Sequence, residues 1–229
     1  MQNTNAIVWI FFAGVVALGA LVFVFSRKQA RKRALEMEAA AQQIGLNFCG
    51  DDQTRAVSVR TALFGRGGAR RFRNIMNGSY AGFEAGLFDY SYTISTGKSS
   101  STVTQTVAAF IQNLPLPVFD LHREGFFDRV GDVFLRNDID FESNPEFSRR
   151  YHLSGDEKDR VRQLFAPALL TYLEALPAES KWHIEGCGFT LLLYRSGSKV
   201  DAEQIRPFLD ETASIARSFF ASCGRESGS

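Results

Sequence analysis

The sequence has little cysteine and little proline: 3 and 6 among 229 residues. Cys49, Cys187 and Cys223 are odd in number, far apart and form no CxxC pair, which excludes a disulfide framework or a zinc ribbon and suits free thiols in a reducing compartment. Net charge is also nearly absent, at +1. Of the 26 basic residues, Arg27, Lys28, Arg31, Lys32 and Arg33 fall in the first 33 positions with no acidic partner, leaving 21 against 25 Asp and Glu in the rest. A mildly acidic body is poorly suited to nucleic acid, because a phosphate backbone rewards a basic face. No internal repeat is present, and neither are the motifs GxSxG, HExxH or GxGxxG. Gly97-Lys98-Ser99 has the tail of a phosphate-binding loop, but Tyr92 stands where the upstream glycine is required. No cofactor is therefore expected.

What is present is apolar. Hydrophobic residues make up 45% of the chain, 21 of them phenylalanine, against 22% charged, which excludes disorder. Ala6 to Phe25 reads AIVWIFFAGVVALGALVFVF, without a charge. As a helix it covers about 30 Å, the thickness of a bilayer's hydrocarbon core. A cleaved signal peptide would need a basic segment before the run and small residues after it, whereas Met-Gln-Asn-Thr-Asn precedes it and Phe23-Val24-Phe25 ends it. A helix apolar on every face and followed by SRKQARKR also makes a poor soluble-core element. The reading is a membrane anchor over residues 1–26. Basic residues lie only after the span, so the positive-inside rule puts the N-terminus outside and the bulk of the chain in the cytoplasm, at the cell (inner) membrane. Arg27, Lys28, Arg31, Lys32 and Arg33 form a candidate lipid-headgroup contact, at about 1 kcal/mol each near an anionic surface.

Residues 27–45 read as a helical stalk stopped by Gly45, whose thin apolar stripe (Leu35, Met37, Ala41, Ile44) predicts weak packing or a position near the membrane. Residues 46–222 read as a cytoplasmic α+β domain and 223–229 as a flexible tail. Phe72 to Ile94 predicts two strands around an Asn77-Gly78 turn, with Phe88, Tyr90, Tyr92 and Ile94 on one face. A polar turn follows, then a strand from Val103 that Leu114-Pro115-Leu116-Pro117 is expected to stop, a short VFDLH strand, and a short helix or turn at REGFFDRVGDVF. Ser154 to Leu176 predicts a helix with a Ser154–Glu157 capping box, kinked or divided at Pro167. Trp182 to Arg195 reads as a hairpin in which Gly186 and Gly188 mark a bulge or turn, and Asp201 to Ser222 as the final helix. The fold class is α+β: an anchor helix and stalk, then an antiparallel sheet with helices on one face. So long a domain buries roughly 70% of its unfolded surface without metal or disulfide.

Four constellations carry possible chemistry. Asp138, Asp140 and Glu142 fall on one face of an extended segment and form a candidate site for a hard divalent cation, though without EF-hand spacing. The competing reading is a solvated strand face with Ile139 and Phe141 on the core side. His183, Glu185 and Cys187 share a strand face, yet side chains adjacent on one strand rarely aim at each other. Arg66, Arg70, Arg71 and Arg73 around GRGGARR are either headgroup contacts or a basic loop. Phe147 and Tyr151, one helical turn apart, are expected in the core.

The anchor, FDYSYT (Phe88 to Thr93), DIDFE with PEFSRRYHL (Asp138 to Leu153) and WHIEGCGFTLLLYR resemble a group of uncharacterised, mostly bacterial, single-span membrane proteins. The resemblance covers most of the chain after about Gly78; it implies the anchor-plus-domain layout and transfers no catalytic residue. The leading reading is a non-enzymatic tethered domain that binds a protein partner, with no nucleic acid. The alternatives are a metal-assisted hydrolase at the membrane surface using Asp138, Asp140 and Glu142, and a lipid-headgroup-binding domain.

Overall fold

The computed structural model describes residues 2–55, 59–97, 99–123 and 138–224, without the side chains of residues 2–11, Arg55 and Ala178. The expected REGFFDRVGDVF element lies almost wholly outside these residues, as do Lys98 and most of the tail.

One helix, α1 (Gln2–Ile44), runs without interruption from the apolar stretch through the basic cluster. Among the described residues it is the one helix long and apolar enough to cross a membrane, and that apolar window is 0% buried. A core helix would be covered there by the rest of the chain. Gly45, at φ +78°, ends α1 as expected: Leu46 N–H bonds Ala41 O at 2.9 Å and Gly45 N–H bonds Gln42 O at 3.3 Å, the paired bonds of a Schellman stop.

Among the described residues the domain is an antiparallel sheet of six strands: β1 (Asn47–Gly50), β2 (Gly68–Tyr80), β3 (Phe83–Ser95), β4 (Ser100–Arg123), β5 (Tyr151–Gly155) and β6 (His183–Tyr194). The order runs β1 to β5, and β6 also pairs with β4. A short helix, α2 (Ala62–Gly65), precedes β2. Helices α3 (Pro145–Arg150), α4 (Lys158–Leu164), α5 (Pro167–Ala175) and α6 (Ile205–Gly224) cover one face. The fold is thus the α+β arrangement read from the sequence, and Pro167 divides two helices as expected.

Two cores sit on opposite faces of the sheet. The larger collects Leu87, Phe110, Leu121, Leu153 and Ile184 from the strands against Phe165, Phe208 and Phe219 from the helical side. Phe119 stacks on Phe219 with ring centroids 5.6 Å apart and meets Phe165 edge-on. The smaller holds Phe88, Tyr90, Tyr92, Val107, Leu192 and Tyr194 under Leu63 of α2. Phe147 and Tyr151 are both buried, their rings 5.1 Å apart.

Several local readings are corrected. Asn77-Gly78 is not the hairpin turn: both residues lie inside β2, and the turn is Ala81-Gly82, at φ +52° and +89°. Gly78 serves packing, since a Cβ there would meet Leu46 Cδ2 at 3.0 Å. Pro115 and Pro117 do not stop β4; they fall where its register with β6 shifts, between Ile111 and Phe119, the irregularity at which a strand accepts residues lacking an N–H. VFDLH is the end of the same strand. Trp182 to Arg195 is one strand rather than a hairpin, with Gly188 at the same register shift. Ser154 belongs to β5 and caps no helix. The stalk, finally, does not pack weakly: Met37, Ala40 and Ala41 are buried in the larger core.

Candidate functional site

Two polar constellations stand out against this apolar frame. The first fixes α1 to the domain. Arg33 lies one turn before Met37 and so points at the same side of the helix. Its Nε donates to Asp89 Oδ2 at 2.6 Å and its Nη2 to Asp89 Oδ1 at 2.8 Å, a bidentate pair, while Nη2 also reaches Val200 O at 3.0 Å. Asp89 further accepts from Asn74 Nδ2 and Thr106 Oγ1, both at 2.8 Å. One buried carboxylate thereby joins α1, β2, β3 and β4. The hydrogen bonds that Arg33 donates to Asp89 raise its pKa further, against the opposing effect of burial. At the far end of α1, Arg206 Nη2 donates to Gln43 O at 2.7 Å.

Of the five basic residues expected at headgroups, Arg27, Lys28, Arg31 and Lys32 are exposed, whereas Arg33 is half-buried and turned inward. Arg33 is eight residues beyond Phe25, about 12 Å along a helix. A cleft of about 680 Å³ opens at this level between α1 and the sheet, lined among others by Phe25, Arg31, Arg73 and Lys199.

The second constellation lies on the other face, at the far end of β4. His122 is paired directly with His152 on β5 and with His183 on β6. Asp120, two residues earlier, is paired with Ser154 and Glu185. The three histidines of the sequence thus form a row across three strands, next to a row containing two carboxylates. Asp120 Oδ1 lies 2.7 Å from His183 Nε2 and 3.1 Å from His122 Nδ1, and Arg66 Nη2 stands 3.5 Å from Oδ2. His183 stacks on Tyr194 with centroids 4.7 Å apart and ring planes at 13°. The Glu185 carboxylate is fully buried; it accepts from the Leu63 backbone N–H at 2.9 and 3.1 Å and from Tyr194 Oη at 2.6 Å.

The electrostatics follow from this packing. Burial alone would raise the Asp120 pKa, but the charge and hydrogen bonds of His183 and His122 outweigh it and hold the carboxyl well below the usual range. Glu185 goes the other way: burial, then the charge of Asp120, push it up against the pull of His183, Leu63 and Tyr194. Burial and the neighbouring Glu185 push the Tyr194 phenol well above its ordinary value. The cluster is closed on the Glu185 side and opens to solvent at His122, whose side chain is 24% exposed, and toward Asp138, at 52%.

Asp138, Asp140 and Glu142 are all exposed, and Ile139 packs inward. Among the described residues, the group of donors close enough to share one ion is Asp120, His122 and His183, not these three carboxylates. Asp138 reaches only the rim of the cluster, 3.4 Å from His152 Nδ1. His183 and Glu185 enter the cluster, while Cys187 sits in the β6 bulge outside that donor group. The four arginines differ in their surroundings. Arg66 turns to Asp120, Arg70 bonds the carbonyls of Gly65, Arg66 and Gly67, and Arg71 and Arg73 are exposed. Asp89, Asp120, His122 and His152 carry no expectation from the sequence, and Arg33 carries only that of a headgroup contact. The available signal was a histidine or carboxylate alternating with core residues on each strand, as at Leu121 and Ile184.

No family model matches the chain, and no curated protein matches it. Among solved structures, the crystal structure of the mycobacterial trehalose monomycolate transport factor A, TtfA, is similar in fold, with a TM-score of 0.53 at 16% identity over 84% of this chain and 94% of that one.

Proposed function

We propose that this chain is a single-span membrane-anchored accessory factor with a transport-related role. Residues 1–26 anchor it, and its cytoplasmic domain binds a protein partner at the membrane. The observation that carries this reading is the continuity of α1. The helix that leaves the apolar stretch at Phe25 is locked into the domain by Arg33 and Asp89 within about two turns. A flexible stalk would let the domain wander; a clamped helix holds one face of it at headgroup height, which suits docking on another membrane protein and raises the effective concentration of the two. Arg27, Lys28, Arg31 and Lys32, all exposed, supply the headgroup contact. The fold shared with a trehalose monomycolate transport factor supports the process named. The exposure of Asp138, Asp140 and Glu142 gives the hydrolase alternative no comparable support.

Phe189 is a probe for the partner, because it is a large apolar side chain 52% exposed on β6. A photo-crosslinking amino acid at Phe189, activated in native membranes, is expected to give discrete adducts with an integral membrane protein. Adducts that persist when residues 1–26 are exchanged for an unrelated span would show that the domain, not the anchor, selects the partner. The absence of adducts from Phe189 and from a second exposed position, Arg71, would overturn the reading. Orientation is tested separately. A fluorescent protein fused after Ser229 should fold and fluoresce, and an alkaline phosphatase there should stay inactive; the opposite pair of results reverses the topology.

A further inference from the structure

We propose that Asp120, His122 and His183 bind a divalent transition-metal ion, zinc foremost. One donor atom from each of the three residues lies within 4.8 Å of the other two, and Asp120 Oδ1 stands 2.7 Å from His183 Nε2 and 3.1 Å from His122 Nδ1. Two imidazoles and one carboxylate are the ligand set that zinc and its first-row neighbours accept, whereas calcium and magnesium prefer oxygen alone. Bonds of about 2.0–2.2 Å to a tetrahedral ion place neighbouring donors roughly 3.4 Å apart. The observed 2.7 and 3.1 Å therefore need to open by less than about 1 Å.

The surroundings are built as a ligand shell requires. Tyr194 stacks on the His183 ring and fixes its plane, and Tyr194 is itself held by Glu185, which the Leu63 N–H anchors. The ligands come from two neighbouring strands of one sheet, so the backbone cannot spread them apart. On the open side, His122 and Asp138 border solvent, which leaves an entry path and room for water as a fourth ligand. Asp120, Glu185 and Asp138 set three carboxyl groups against one guanidinium in the cluster. Arg66 stands 3.5 Å from Asp120 Oδ2 and 3.4 Å from His183 Nε2, the positive charge nearest the donors. Arg66 and the ion accordingly compete: the ion occupies the space between the imidazoles and Oδ1, and the guanidinium withdraws or keeps to Oδ2.

That competition separates a metal site from a plain hydrogen-bonded network. The full-length protein, purified in detergent and stripped with a chelator, is titrated with Zn²⁺ by calorimetry and with Co²⁺ by visible absorption. One equivalent should bind, with the intense d–d bands of a tetrahedral cobalt ion. His122→Ala, at a partly exposed position the fold tolerates, should weaken Zn²⁺ binding at least a hundredfold. Arg66→Gln should strengthen it several-fold, the reverse of what loss of a merely structural arginine would do. His152→Ala, next to the donor set but outside it, should change affinity less than tenfold. Absence of saturable binding at micromolar Zn²⁺, or binding indifferent to His122→Ala, would overturn the proposal. Either result leaves the anchoring and partner reading untouched, since neither depends on this face.

Discussion

Replacing Arg33 by alanine is expected to destabilise the domain by about 3 kcal/mol, the cost of breaking a buried ion pair from one side. The Asp89 side chain is only 5% exposed, and without Arg33 its charge keeps just the neutral donors Asn74 and Thr106. The guanidinium cannot be replaced by any positive charge: Arg33→Lys retains the charge but loses the parallel pair of bonds at 2.6 and 2.8 Å, so it should recover no more than about half of the loss. The measurement is urea denaturation of the full chain in detergent, followed through the fluorescence of Trp182, which is 2% exposed and lies under Arg195. A loss below about 0.5 kcal/mol, the level of a surface pair, would show that the clamp is not a coupling element. The functional corollary is that Arg33→Ala, with the apolar span intact, should still insert in membranes but give a diffuse photo-crosslinking pattern from Phe189, because α1 no longer fixes the domain's height and tilt.

What could be read from the sequence was what repeats locally. The apolar run to Phe25 needs only length and composition. The α6 stripe shows at helical spacing, and Ile205, Phe208, Leu209, Ile215, Ala216, Phe219 and Phe220 are all buried. The Phe88, Tyr90, Tyr92 face emerges from strand alternation in the same way. Non-local pairing was out of reach. Asn77-Gly78 carries a turn signature, but β3 pairs with both residues, Gly86 opposite Asn77 and Ala85 opposite Gly78, and β1 adds Asn47 opposite Asn77, so the sheet overrides local propensity. The cluster was hidden for a subtler reason. On β4, Val107 and Ala109 share a face with Asp120 and His122, an odd separation; on β6, Glu185 shares a face with Tyr194, nine residues away. Both parities are inverted by the paired register shifts around Leu116 and Gly188, so strict alternation puts these groups on opposite faces. Arg33, by contrast, was legible in principle: a charge in register with Met37, Ala40 and Ile44 on an otherwise inward-facing stripe needs a buried partner.

Glu185→Ala is expected to have the largest effect on the second face, about 4 kcal/mol. Two buried donors lose their acceptor together, the Leu63 N–H and the Tyr194 hydroxyl, at about 1–3 kcal/mol each. Leu63, Tyr194 and Glu185 are all fully buried, so both donors sit away from bulk solvent. Glu185→Gln keeps the volume and one acceptor oxygen, so it should cost markedly less, about 1–2 kcal/mol. The difference between the two variants isolates the hydrogen bonds from the packing. The loss is also directional. Glu185 is the tie between β6 and α2, and Arg66 leaves the end of α2 to meet Asp120. In Glu185→Ala the segment from Thr61 to Gly67 should therefore loosen before the sheet does, with faster hydrogen exchange at the Leu63 amide and little change at Leu192, deep in the same core. Equal costs for Ala and Gln, or a Leu63 amide that exchanges no faster than in the parent, would mean that apolar contacts alone hold α2 in place.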